Sequence, residues 1–172
     1  QILTIEEGKR FLGVMPAATP DGMGAKLVTY YPKNEGTKHH THMATISLFD
    51  PETGEPLAFM DGRLITEMRT AAVSAAVTKY AALPDAKVLT LIGSGVQAGA
   101  HLHALRQVCN FNEVRIWSRT AENARKFADK HLVKAMELEQ AVRGADVIVT
   151  ATNSQQAIVK GAWLKEGAHL NA

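Results

Sequence analysis

The clearest chemistry lies in Gly93-Ser94-Gly95-Val96-Gln97-Ala98, which follows the apolar run Val88 to Ile92 and opens a stretch with helical spacing. A G-x-G-x-x-A turn between a strand and a helix is suited to holding a pyrophosphate. The first glycine permits the tight turn, Gly95 lets the backbone approach the anion, and Ala98 lets the helix pack closely on the strand. The helix N-terminus then presents N–H groups and positive dipole to the negative charge. Gly93, Ser94, Gly95, Val96 and Gln97 are therefore candidate dinucleotide-binding residues, against the alternative of a glycine turn that merely packs.

The end of the next strand reads the adenosine ribose in such folds, usually with Asp or Glu where the cofactor is NAD. Here the sequence is Ser118-Arg119-Thr120. A guanidinium flanked by two hydroxyls can clamp a 2′-phosphate through charge-assisted hydrogen bonds. The expected cofactor is NADP(H), with NAD(H) as the alternative. Equally, Ser118 and Thr120 can cap the helix that starts at Ala121, leaving Arg119 solvated. After a later strand, Asp146 to Ala151, the residues Thr150, Ala151, Thr152 and Asn153 fall where parallel strands end in a ligand crevice, at ribose or nicotinamide. An ordinary polar loop is the plain alternative there.

Positioning these residues requires a βαβα rhythm, and residues 87–172 supply it. Strands are expected at Lys87 to Ile92, Glu113 to Trp117, weakly at Leu132 to Ala135, at Asp146 to Ala151, and beginning at His169. Helices are expected at Gln97 to Cys109, Ala121 to Lys130 and Leu138 to Arg143. The fold class is α/β, with a Rossmann doubly wound parallel sheet. Before it, residues 1–86 read as a strand-rich domain. Its apolar runs are Ile2 to Ile5, Phe11 to Met15, Lys26 to Tyr31, Thr45 to Phe49 and Leu57 to Met60, separated by turns at Pro20 to Gly22, Pro32 to Gly36 and Asp50 to Gly54. An alanine-rich helix, Leu64 to Leu83, closes this part and reads as buried, with Leu64, Met68, Ala71, Ala72, Ala75 and Val77 available for one packed face.

Composition narrows the function. Hydrophobic residues are 46% and charged ones 21%, the balance of a chain that buries a core, and a net charge of +2 without basic blocks points away from nucleic acid and membrane surfaces. A small-molecule partner is expected. One cysteine, Cys109, suits a reducing compartment, with cytoplasm the default. No run of apolar residues is long enough to span a bilayer. His39, His40 and His42 sit in one loop without Cys or carboxylate at ligand spacing, and His101 and His103 are two apart on a helix, so no metal is expected. Gln1 and the strand just beginning near His169 suggest a chain that lacks segments at both ends.

The chain resembles the ornithine cyclodeaminase/mu-crystallin family, above all its ketimine reductase branch. The resemblance runs through Phe11 to Ala17, Lys26 to Thr29, Met60 to Gly62, Ile65-Thr66, Arg69 to Ala75, Gly93 to Ala98, Val114 to Thr120, Glu122 to Asp129, Gly144 to Ile148 and Gly167 to Ala172. It implies an NADPH-dependent reductase of cyclic ketimine carboxylates, a homodimer through the strand-rich residues 1–86, which would also serve substrate binding. Lys26 and Arg69 would face substrate or cofactor as the catalytic pair. Arg69 can grip a carboxylate or phosphate bidentately, and Lys26 can pair with a carboxylate or, if desolvated, donate a proton. His42 and Thr45, in a stretch that approaches the nicotinamide and its phosphates, and Arg69 with Thr70 would contact the cofactor.

Two parts of the family pattern are missing from this sequence: an arginine just before Gln1, and the region after the fifth Rossmann strand, which carries a candidate acid/base aspartate. Within the family, the alternatives are ornithine cyclodeaminase and alanine or other amino-acid dehydrogenase using NAD, with an amino acid as substrate. The non-enzymatic alternative is thyroid-hormone binding or a structural crystallin role.

Overall fold

A computed structural model describes residues 1–6 and 9–172. They form two units, 1–66 and 67–172. The division falls at Thr66/Glu67 rather than the 86/87 boundary expected from sequence. Most of the alanine-rich helix counts with the second unit because Ala71, Ala75 and Thr78 are its buried residues, Ala75 joins the core beneath the second sheet, and Thr78 accepts a hydrogen bond from Asn171 at 3.0 Å.

The first unit is a five-stranded antiparallel meander of β1 (Ile2–Glu6), β2 (Arg10–Thr19), β3 (Gly22–Tyr30), β4 (His42–Phe49) and β5 (Pro56–Asp61), hydrogen-bonded in chain order. Each turn cluster in the sequence becomes a reversal. The Asp50 carboxylate, for example, accepts the backbone N–H groups of Glu52 at 2.9 Å and Thr53 at 2.8 Å to close the β4–β5 loop. Strand β2 runs past the expected Met15. Pro16 does not end it, because β1 pairs only with Arg10 to Gly13 and Pro16 lies beyond that pairing, where no donor is required.

Helix α1 (Arg63–Ala81) leads into the second unit. There the strands β6 (Val88–Ile92), β7 (Glu113–Trp117), β8 (Lys134–Ala135), β9 (Val147–Thr150) and β10 (His169–Asn171) form a sheet in the order β10-β9-β6-β7-β8. Every pairing in it is parallel. Between these strands lie α2 (Val96–Leu105), α3 (Ala121–His131) and α4 (Leu138–Val142). The pleat sends Leu89 and Leu91 to one face, against Ala98 and Leu102 of α2 and Phe127 of α3, and sends Ile92 to the other, against Val142 and Ala145. Leu89, Leu91 and Ile92 are wholly inaccessible, and each contributes about 1.5–3 kcal/mol by leaving water. Burial on both faces explains why this strand is an unbroken apolar run.

The packed face expected for α1 is narrower than its sequence suggests. Leu64, Met68 and Val77 are exposed, as is Ala72, and the buried stripe is Ala71, Ala75 and Thr78.

At the end of the sheet opposite the glycine turn, Asp146 ties three segments together. Its carboxylate accepts the backbone N–H groups of Lys87 at 2.8 Å and Val88 at 2.7 Å and pairs with Lys165. Burial alone would raise its pKa, but the Lys165 ammonium and the two backbone donors outweigh this and hold the carboxyl below the usual range. Because the folded value lies below the unfolded one, this stabilisation is complete above pH about 4 and is lost as pH falls through the lower folded value. Asp146→Asn should lower stability by about 1–3 kcal/mol near neutral pH. In melting experiments its difference from wild type should shrink on acidification; a difference independent of pH would contradict the charge-based account.

Candidate functional site

In the second unit the strand order reverses beside β6, with β7 on one side and β9 on the other. A crevice opens outside the carboxyl ends of strands at such a point. Gly93 stands there with φ +108°, and a Cβ on it would lie 2.2 Å from the Ala151 carbonyl oxygen. Its N–H donates to Trp117 O at 2.8 Å. Ala151 N donates to Ile92 O at 2.8 Å. The turn is thus fastened to the ends of both neighbouring strands.

Gly95 precedes α2 in an extended conformation, and no side chain caps the helix. A Cβ on Gly95 would meet only open space. The result is an open approach to a helix N-terminus, and a phosphate fits its donor chemistry. Ala98 is fully buried and lets α2 lie close on the sheet, whereas Val96 is exposed. Gln97 contributes its carbonyl, which accepts from Nδ1 of buried His101 at 2.7 Å. A carbonyl can only accept, so Nδ1 carries the proton and Nε2 can take the Ser74 hydroxyl proton at 3.0 Å. His101 therefore packs α2 against α1, a role its sequence position did not reveal.

At the end of β7, Ser118 is half-buried and Arg119 and Thr120 are exposed. Thr120 occupies the N-cap position of α3, but its hydroxyl makes no capping bond. Ser118 Oγ lies 2.9 Å from Ser94 Oγ. Capping of α3 thus uses neither side chain. Residues 118–120 include no carboxylate, and Glu122 in the first turn of α3 is paired with Lys126 at 2.6 Å. Beyond β9, Thr150 donates weakly to Asn171 O at 3.5 Å and Thr152 Oγ1 accepts from Ser154 N at 3.2 Å. Glycine turn, Ser118 to Thr120 and Thr150 to Thr152 therefore gather at the carboxyl ends of one sheet.

Lys26, His42 and Thr45 belong to the first unit. Lys26 pairs with Ile46 across β3 and β4, and Tyr30 pairs with His42. By the strand period these four share one face, and Thr45 projects from the other. His42 is four residues along from Ile46, roughly 13 Å, so it does not touch Lys26. Half-buried Lys26 places Nζ 3.5 Å from Thr66 Oγ1. Around it the face forms a shallow depression of about 360 Å³, lined by Met15, Ala17, Met23, Ile46 and Leu48. The His42 ring stacks on Tyr30 with centroids 4.6 Å apart, and partial burial lowers its pKa even though much of the side chain meets solvent. His40 takes a different partner, Arg63, at 2.9 Å. Among the described residues no three His, Cys, Asp or Glu gather at a metal-ligand spacing.

Arg69 and Thr70 lie on α1, Thr70 half-buried and Arg69 exposed. The expectation that Arg69 sits in a buried helix is corrected by this exposure. Alanine richness signalled close approach on the side of Ala71 and Ala75, and Arg69 lies off that stripe.

Strand order, crossover and glycine turn make the second unit Rossmann-type. Residues 2–172 match the ornithine cyclodeaminase/mu-crystallin family, and the chain belongs to it. Ketimine reductase mu-crystallin of Mus musculus is 44% identical over 176 residues, covering 99% of this chain and 56% of that protein. Among solved structures, Thermococcus litoralis Delta(1)-pyrroline-2-carboxylate reductase in complex with NADH and L-proline gives a TM-score of 0.90 at 34% identity, covering 99% of this chain and 55% of that one. An archaeal alanine dehydrogenase dimer with bound NAD gives 0.90 at 37% identity, covering 100% and 55%. The chain spans about half the length of the relatives it matches.

Gly93→Ala should be among the most damaging single-methyl additions in this unit. It combines a left-handed backbone with a backbone clash, at a cost of roughly 2 kcal/mol or more. Thermal melting and dinucleotide titration should both show the loss; a variant that melts and binds like wild type would contradict the fit at Ala151.

Proposed function

We propose that this chain is part of an NADPH-dependent imine reductase acting on cyclic ketimine carboxylates such as piperideine or pyrroline carboxylates. The observation that carries the cofactor half of this reading is the exposed Arg119 beside two hydroxyls whose side chains do not cap α3, with no carboxylate at residues 118–120. The uncapped N-terminus of α2 and the open space at Gly95 support a pyrophosphate there. The names of the relatives, ketimine reductase and pyrroline-2-carboxylate reductase, support the substrate half.

In this reading Gly93 to Gln97 hold the pyrophosphate and Ser118, Arg119 and Thr120 hold the 2′-phosphate. Thr150 to Thr152 border the ribose and nicotinamide. His42 and Thr70 are further cofactor contacts, whereas Thr45, which projects from the sheet face opposite His42, is left out of this reading. When bound, the reduced nicotinamide supplies the hydride that converts the imine carbon to an amine-bearing carbon. Arg69 binds a carboxylate or phosphate as a planar fork, and Lys26, in an apolar depression, pairs with a carboxylate or supplies a proton. The strand-rich unit, residues 1–66, serves substrate binding and dimerisation, and the second unit, residues 67–172, binds cofactor. A homodimer is supported by Leu3, Leu27, Met43 and Phe59, exposed on the sheet face opposite Lys26, and the single cysteine supports a cytoplasmic setting. A second reading, NAD-dependent amino-acid dehydrogenation, is favoured by the NAD in the similar alanine dehydrogenase.

NADPH oxidation in the presence of a piperideine carboxylate should exceed the enzyme-free rate, and Arg69→Ala should raise KM roughly ten-fold with a smaller change in kcat. A rate equal to that of free NADPH would end the reductase reading, and turnover of alanine with NAD instead would favour the second.

A further inference from the structure

In a G-x-G-x-x-A turn the first, third and last positions answer for the turn, the approach of backbone to phosphate and the helix packing, while the second is unconstrained by those needs. Here the second position is Ser94, and its hydroxyl lies 2.9 Å from Ser118 Oγ, 24 residues later in the chain. The Gly93 N–H on Trp117 O, at 2.8 Å, holds the turn beside the end of β7 and so fixes this meeting. Ser118 is half-buried, directly before exposed Arg119.

A hydroxyl has one proton to donate and two lone pairs. When Ser94 donates to Ser118, the Ser118 proton is left to point elsewhere. A 2′-phosphate only accepts hydrogen bonds, whereas a 2′-hydroxyl both donates and accepts. A run of donors from Ser94 through Ser118 to a phosphate oxygen is polarised in one direction, and each link strengthens the next. A 2′-hydroxyl offers that run no charged terminus.

We propose that Ser94 is a specificity-determining positioning residue, which orients the Ser118 hydroxyl as a donor and so biases the site toward the 2′-phosphorylated dinucleotide. This inference rests on the NADP(H) reading of Ser118 to Thr120.

The test is fluorescence titration of NADPH and NADH against the intact wild-type protein, Ser94→Ala, Ser118→Ala and the double variant. Ser94→Ala should weaken NADPH roughly 3–10-fold more than it weakens NADH, the worth of one hydrogen bond, while an unchanged thermal melt shows that the turn still folds. In the Ser118→Ala background the same change should have no further effect on the ratio of NADPH to NADH affinity. Equal weakening of both dinucleotides, or losses that simply add, would overturn the proposal. A wild type without preference for NADPH would remove the underlying reading and this inference with it, and that outcome is visible before any variant is measured.

Discussion

The close contact between Gly93 and the Ala151 carbonyl is the constraint on which the candidate site depends. Strand β6 must deliver its chain into a turn with φ +108° while β9 ends immediately beside it, and the missing side chain at Gly93 is what lets the two strand ends converge. Hydrogen bonds then extend the join to both sides, Gly93 N–H to Trp117 and Ala151 N–H to Ile92. From that convergence the rest follows: α2 starts at the crevice with its first N–H groups facing outward, and the ends of β7 and β9 bring Ser118 and Thr150 to the same rim.

The packing beneath serves this geometry. Ala98, wholly buried, keeps α2 against Leu91 and Leu89, and His101 anchors the same helix through Ser74. At the far end of the sheet Asp146 plays a complementary part, tying the start of β6 to β9 and to Lys165. A strand held at both ends is a stiff support for a turn whose chemistry lies in backbone N–H groups, since those groups can be aimed only by fixing the backbone itself. In the first unit, Lys26 depends on register: antiparallel pairing with Ile46 sets which face its ammonium occupies.

Much of the second unit was legible in sequence because parallel strands buried on both faces are continuous apolar runs. Glu113 to Trp117 matches β7 residue for residue, and the glycine turn carries its own geometry. Less of α1 was legible. Its alanines announce close packing but do not say on which side, so Leu64, Met68 and Arg69 were read as more enclosed than they are. Strand β2 continues past the expected end at Met15 through Pro16, because only the length of β1 decides whether the missing donor of Pro16 matters. The Ser94–Ser118 pair and the Asp146 anchor join residues 24 and 58 or more positions apart, and single side chains carry no local signal of such partners. Nor does residue type reveal that Lys26 and Thr45 occupy opposite faces of their sheet, which follows from register alone.

The most direct measurement for the central claim is fluorescence titration of NADPH against NADH on the wild type and on Arg119→Ala. If the end of β7 reads a 2′-phosphate, wild type prefers NADPH and the preference collapses in the variant with NADH affinity retained, as expected for the loss of a charge-assisted contact. Equal affinities in the wild type, or a preference for NADH that the variant leaves intact, would contradict the account and shift it to NAD-dependent amino-acid chemistry.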